Sequence, residues 1–226
     1  VCMTIDFKLA RLKMVDNQIR TTDVTSHAVL DAFLSVEREK FVPAKLRPLA
    51  YIDDDLRISG NREGEVDRYL MEPSPLAKLL QLADVKPDDV VLEVGCGCGY
   101  VSALLSELAG SVVALETDEA LATTAADTLS RLGYDNVAVV TGPLNEGYKP
   151  EAPYDVIFIG GSVEELPQTL LEQLRDGGRL VVVEGQGNAS KAKLYVRENG
   201  HTAARRGFNT SVKPLPGFAK SQVFEF

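Results

Sequence analysis

The spacing of apolar residues changes character near residue 89. Ahead of that point it is helical. Ile5, Leu9, Leu12, Val15 and Ile19 recur every three or four positions with charges between them, the repeat of one helix face. In "TTDVTSHAVLDAFLSV" (21–36), Thr and Asp precede Val29, Leu30, Phe33 and Leu34 and predict a second, capped helix. Prolines, glycines and charges interrupt residues 40–70 and predict irregular structure, and "PLAKLLQLADV" from Pro75 predicts a third helix. Beyond Asp89 the apolar residues gather into short β-branched runs: "VVLEV" (90–94), "SVVALE" (111–116), "NVAVV" (136–140), "YDVIFIG" (154–160) and "GRLVVVEG" (178–185). Between them, 100–110, 118–134 and 162–178 keep a helical spacing and end in glycines or a Gly-Tyr pair. Strands apolar on both faces, alternating with helices, specify a parallel sheet covered on both sides. The expected fold is therefore α/β, a doubly wound Rossmann-like sheet over 89–226, with a helical and loop-rich cap over 1–88 packed on it in one compact domain. "ARRGF" (204–208) reads as a solvated turn between the last strands, and "FNTSVKPLPGFAKSQVFEF" (208–226) as a pair of closing strands joined by a loop.

The first strand runs directly into "GCGCG". Gly95, Gly97 and Gly99 alternate there, between a strand and a helix. Such glycines permit positive φ and let backbone approach a ligand with no Cβ in the way, while the following helix offers free N–H groups. A dinucleotide cradle needs G-x-G-x-x-G, whereas the next position in that frame is Ser102, so a nicotinamide dehydrogenase is disfavoured. Glu93 interrupts an otherwise apolar strand, where an unpaired carboxylate is costly. It reads as aimed at a polar ligand or at the loop amides. Glu116 ends the next strand, about 20 residues beyond the loop, where a carboxylate can accept both hydroxyls of a ribose; Asp118 reads as the cap of the helix that follows.

Composition narrows the choice further. The chain has 226 residues, 45% hydrophobic and 25% charged, the balance of an ordinary globular domain. Its net charge of −9 weighs against a phosphate-gripping surface, so nucleic acid is not an expected partner. No apolar run suits a membrane helix, and the N-terminal residues lack a signal-peptide core. With three cysteines, this points to the cytoplasm; Met3, after Val1 and Cys2, is the expected start. Cys96-x-Cys98 falls short of the four ligands of a structural zinc site, and both read as small fillers of a tight loop; no metal is expected. His27 reads as a packing or capping residue. Asp53, Asp54 and Asp55 are open to two readings, a metal-binding trio or a loop and turn element.

An E-x-G-x-G-x-G loop followed by an acid at the next strand end resembles the S-adenosylmethionine site of class I methyltransferases. "MVDNQIR" (14–20), "VLDAFLSVEREKFVP" (29–43), "LAYIDDDLRI" (49–58), "VVLEVGCGCGYVSALLSELAG" (90–110) and the whole of 152–185 resemble one family in that class, the protein-L-isoaspartate O-methyltransferases. The resemblance implies S-adenosylmethionine as cofactor, with Gly95, Gly97 and Gly99 under its methionine portion, Glu93 orienting the charged end and Glu116 holding the ribose. Cys96, Thr117 and Gly142 flank these positions and belong to the implied cofactor set. The implied reaction methylates a carboxylate of damaged protein.

Two segments depart from the family. Where the family reads G-Q-T-I-S-Q-P, alignment on Pro73 gives "RYLMEP", so its Thr and Ser become Tyr69 and Met71. The candidate substrate-loop residues are therefore Tyr69, Met71 and Ser74, with Ser59 as a further hydroxyl. After the third strand the family's G-D-G becomes "TGPLNEG", with Pro143 in place of the acid, which leaves adenine to backbone groups or apolar stacking. The altered loop keeps two alternatives open: a methyltransferase for another acceptor, small molecules included, or a ligand-sensing protein that binds the cofactor without transferring methyl. The sequence leaves the oligomeric state open.

Overall fold

The computed structural model describes residues 5–59 and 66–219. Helix α1 (Phe7–Met14) starts at Asp6, whose side chain accepts the Leu9 N–H at 3.0 Å, and continues as one π-helical turn, Val15–Ile19. Helix α2 (His27–Ser35) is capped in the same way by Ser26, an oxygen satisfying an N–H that the helix itself leaves unpaired. A short antiparallel ladder, β1 (Leu56–Ser59) with β2 (Arg68–Leu70), comes next. Helix α3 (Pro73–Ala83) begins at Pro73, two residues ahead of the expected start. The fixed φ of proline suits that first helical position.

The large sheet contains β3 (Val90–Val94), β4 (Ser111–Glu116), β5 (Val137–Thr141), β6 (Tyr154–Val163), β7 (Leu174–Glu184), β8 (Lys191–Glu198) and β9 (His201–Asn209). Their order is β5-β4-β3-β6-β7-β8-β9; the first five are parallel, and β8 and β9 are antiparallel additions. Helices α4 (Tyr100–Leu108) and α5 (Glu119–Leu132) make the crossovers β3 to β4 and β4 to β5, and Asp118 caps α5 through the Ala120 and Leu121 N–H groups. The chain winds outward from β3 to β5 and then returns to the other side of β3 with β6. This reversal opens a crevice at the carboxyl ends of β3 and β6, the usual ligand position in such sheets. One continuous buried cluster joins α2 and α3 to α4 and to β6 and β7.

Four expectations change. Ile5, Leu9 and Leu12 lie 42%, 46% and 46% exposed, so the apolar stripe of the first helix is buried only from Met14 onward. The helix expected across 162–178 shrinks to α6 (Gln168–Leu171), because the Tyr154 N–H already bonds to the Gln173 carbonyl and Leu174 pairs with Tyr154. Sheet hydrogen bonds override helical spacing there. "ARRGF" is solvated but is strand, paired through Ala204, Arg205 and Arg206 with β8; the turn is Asn199-Gly200, both at positive φ, a two-residue hairpin signal. The closing strands are thus β8 and β9, and 210–219 form no ladder beyond a bridge from Pro214 to Ser162. Residues 220–226 of the expected closing pair, and the expected start at Met3, lie outside the described residues.

Arg38 fixes the route between cap and sheet. It is fully buried, donates to the Ala50 carbonyl at 2.7 Å and the Met71 carbonyl at 2.9 Å, and stacks 4.8 Å from the Tyr100 ring centre. One side chain therefore holds both ends of the segment carrying β1 and β2. Arg38→Met leaves two buried carbonyls unpaired, at about 1–3 kcal/mol each. Urea unfolding is expected to show a loss of about 2–6 kcal/mol, and an unchanged midpoint would remove this clamp from the account of the cap.

Candidate active site

The glycine loop leaves β3 and turns back under the end of β4. The Gly95 and Cys96 N–H groups both donate to the Leu115 carbonyl, at 2.8 and 3.1 Å. Gly95, Gly97 and Gly99 take φ values of +84°, +55° and +87°, a region costly for any residue with a Cβ. Clearance matters as much as torsion. A Cβ on Gly97 would stand 2.9 Å from Ile58 Cδ1 of β1, and one on Gly95 would stand 2.7 Å from Leu215 Cδ2.

Glu116 is the hub of the site. Fully buried at the end of β4, its carboxylate accepts the N–H groups of Gly97 (2.8 Å), Thr117 (2.8 Å) and Asp118 (3.1 Å). Both carboxylate oxygens also face Arg68 of β2, Oε1 receiving Nη1 and Oε2 receiving Nη2 at 2.8 Å. Arg68 is itself 5% exposed. It stands where the family's loop carries glutamine, and nothing in the apolar spacing marked it. The one available signal was a charged arginine at that motif position, five residues ahead of Pro73.

Glu93 lies on the next strand over, 1% exposed, and receives the Ser102 hydroxyl from α4. Burial pushes its carboxyl up to about 8, helped by the charge of Glu116, while the Ser102 bond and Arg68 pull it the other way. At neutral pH it is mostly a neutral acid, tied to the helix rather than projecting into open space. Burial also pushes the Cys96 thiol well up and Cys98 up to about 11, so both are protonated side chains filling the loop. Cys2 lies outside the described residues. His27 opens α2. The Gly142 N–H donates to the Glu116 carbonyl at 3.0 Å, bringing the start of the "GPLNEG" turn, and with it Pro143, to the same end of the sheet.

On the acceptor side, Tyr69 and Met71 line a small cavity of about 10 Å³ together with Asp55, Arg68, Gly160 and Lys213. Lys213 sits 5.1 Å from the Tyr69 ring centre, and the Tyr69 hydroxyl reaches Asp67 at 3.4 Å. Asp55 accepts the Glu72 N–H at 2.9 Å, so this member of the acidic trio ties the chain ahead of β1 to the residue that precedes α3. Ser74 falls within α3 and Ser59 ends β1, both outside that lining. A wider cleft of about 470 Å³ opens beside it, between Ser162, Gln186 and Phe218. Lys213 and Leu215 were not among the expected site residues, since the bridge to Ser162 that places them is tertiary.

A parallel sheet with a reversal at β3, a bare glycine loop and an acid at the adjacent strand end defines a Rossmann-like methyltransferase. The sequence profile of the protein-L-isoaspartate (D-aspartate) O-methyltransferases matches residues 10–216. A protein-L-isoaspartate O-methyltransferase of Koribacter versatilis is 39% identical over 93% of this chain and 92% of its own length. One from Methanopyrus kandleri is 35% identical over 93% of both. A solved protein-L-isoaspartate O-methyltransferase superposes with a TM-score of 0.78 at 27% identity, covering 92% of this chain and 67% of its own. A Plasmodium falciparum structure bearing the same family name, solved with S-adenosyl-L-homocysteine, shares the fold with a TM-score of 0.77 at 21% identity, over 95% of this chain and 100% of its own. The chain belongs to the protein-L-isoaspartate (D-aspartate) O-methyltransferase family, whose methyl donor is S-adenosylmethionine.

The groups present suit that cofactor. Glycines without Cβ atoms beside the buried Glu116 carboxylate allow close backbone approach at the carboxyl ends of β3 and β4. In this conformation the chain's own Arg68, Ile58 and Leu215 lie over the cradle.

Glu93 makes stability depend on pH. Its folded carboxyl holds a proton more tightly than in the unfolded chain, so its contribution is complete below about 4.5 and is lost as pH rises through about 8. Glu93→Gln is expected to flatten the fall in thermal midpoint across that window. Parallel curves for the two proteins would show that Glu93 is not the group responsible.

Proposed function

We propose that this chain methylates the free carboxylate of isoaspartyl residues in damaged protein. What carries the reading is the family match across 10–216; a glycine loop beside a buried acid at the adjacent strand end supports it. When bound, S-adenosylmethionine supplies an electrophilic methyl on a sulfonium. The chain's residues then have three tasks. Gly95, Gly97 and Gly99 allow close backbone approach, and Glu116 accepts the ribose hydroxyls, with Cys96, Thr117 and Gly142 beside it and Glu93 bracing the loop from β3 through Ser102. Tyr69, Met71 and Lys213 border the space in which an acceptor would be aligned, Met71 excluding water and Lys213 offering charge to a carboxylate. No general base is required, because a carboxylate acceptor is already ionised at neutral pH; alignment accounts for most of the catalysis. The buried free thiols Cys96 and Cys98 support a reducing, cytoplasmic setting. Among the described residues, no helix is long and apolar enough to cross a membrane.

One observation favours a second reading. Tyr69 and Met71 stand where the family's motif has hydroxyls, and this supports a different acceptor. Incubation with radiolabelled cofactor and an isoaspartyl peptide separates the two. Base-labile methyl ester is expected; its absence despite cofactor binding would exclude isoaspartyl repair. Met71→Ser is expected to raise the rate on that peptide, and an equal or lower rate would show that the loop hydroxyl has no part in this chain.

A further inference from the structure

The acid that the cofactor reading assigns to ribose is already taken. Arg68 meets both oxygens of Glu116, and its Nη2 is 3.5 Å from the Cβ position of Gly95, so one guanidinium covers the ribose acceptor and the first loop glycine together. Two apolar side chains extend the cover: Ile58, on the neighbouring strand of the same ladder, over Gly97, and Leu215 over Gly95. A nucleoside cannot share the cradle with these groups.

We propose that Arg68 is an internal competitor for the cofactor: its ion pair with Glu116 latches the β1–β2 ladder over the glycine loop, and the cofactor binds only as that latch opens. The inference rests on the cofactor reading above. Its logic is one of exchange. Two ribose hydroxyls offer Glu116 hydrogen bonds from uncharged donors, whereas Arg68 offers an opposite charge and a bidentate fork in a water-poor site. The hydroxyls alone are therefore poor competitors, and the remaining cofactor contacts must make up the difference. Glu116 does not depend on Arg68 for satisfaction, since three backbone N–H groups stay with it when the guanidinium leaves. The pair can thus open without stranding a bare buried carboxylate. Apparent affinity then falls by the fraction of molecules that are open.

Calorimetric titration of the full chain with S-adenosyl-L-homocysteine tests this directly and needs no turnover. Arg68→Met is expected to tighten binding by about tenfold or more, the gain from removing a dominant closed state. Arg68→Lys, which keeps the charge but loses the fork, is expected to gain less. Ile58→Ala trims the cover without touching the ion pair and guards against failure of the Arg68 variants to fold; it too is expected to bind more tightly than the native chain. Equal or weaker binding in Arg68→Met and Ile58→Ala, with native binding intact, would overturn the latch and leave the cofactor reading standing. No binding by the native chain or by any variant would overturn the cofactor reading and the latch with it.

Discussion

A carboxylate at the end of a central parallel strand has few ways to be buried. Glu116 uses an unusual number of them at once: three backbone N–H groups and the fork of Arg68. Removing such a charge from water costs several kcal/mol, and the loop is shaped around meeting that cost. Gly97 must present its N–H to the acid, which requires the positive φ open to glycine. The loop must pass close beneath β1, which Cβ atoms would obstruct. The β1–β2 ladder must come down far enough for Arg68 to reach across. Sheet end, glycine loop and cap are joined through this one group.

Glu93 illustrates how position on a sheet decides the state of an acid. It lies on β3 in register with Ala114 of β4, close enough for the charge of Glu116 to raise it, yet its only hydrogen-bond donor among the described residues is Ser102. The outcome is a neutral acid beside a paired one. The carboxyl that keeps its proton braces α4 against the sheet, while the paired one faces the crevice.

Much of the sheet was legible because parallel strands buried on both faces have little freedom in composition. The run "VVLEV" matches β3 residue for residue, and "SVVALE" matches β4. The alternating glycines and the acid at 116 marked the cofactor side for a related reason: steric clearance and buried charge both narrow the residue types allowed. Errors came where a segment's fate depended on its partners. Residues 174–178 have helical spacing but lie against Tyr154 and are drawn into the sheet; Arg205 and Arg206 look like a turn but pair with β8. Leu9 and Leu12 keep the helical period but remain 46% exposed.

The sequence by itself determined the doubly wound sheet, the bare loop and the acid beside it, because strand burial, positive φ and a lone carboxylate in an apolar run are local constraints written in residue type. The tertiary structure alone decided what covers that loop. Arg68 lies 48 positions from Glu116, and Leu215 is placed by a single bridge to β6. An arginine's local surroundings show that it will seek an anion; which anion it finds depends on the path of the backbone, here fixed by the hold of Arg38 on Ala50 and Met71.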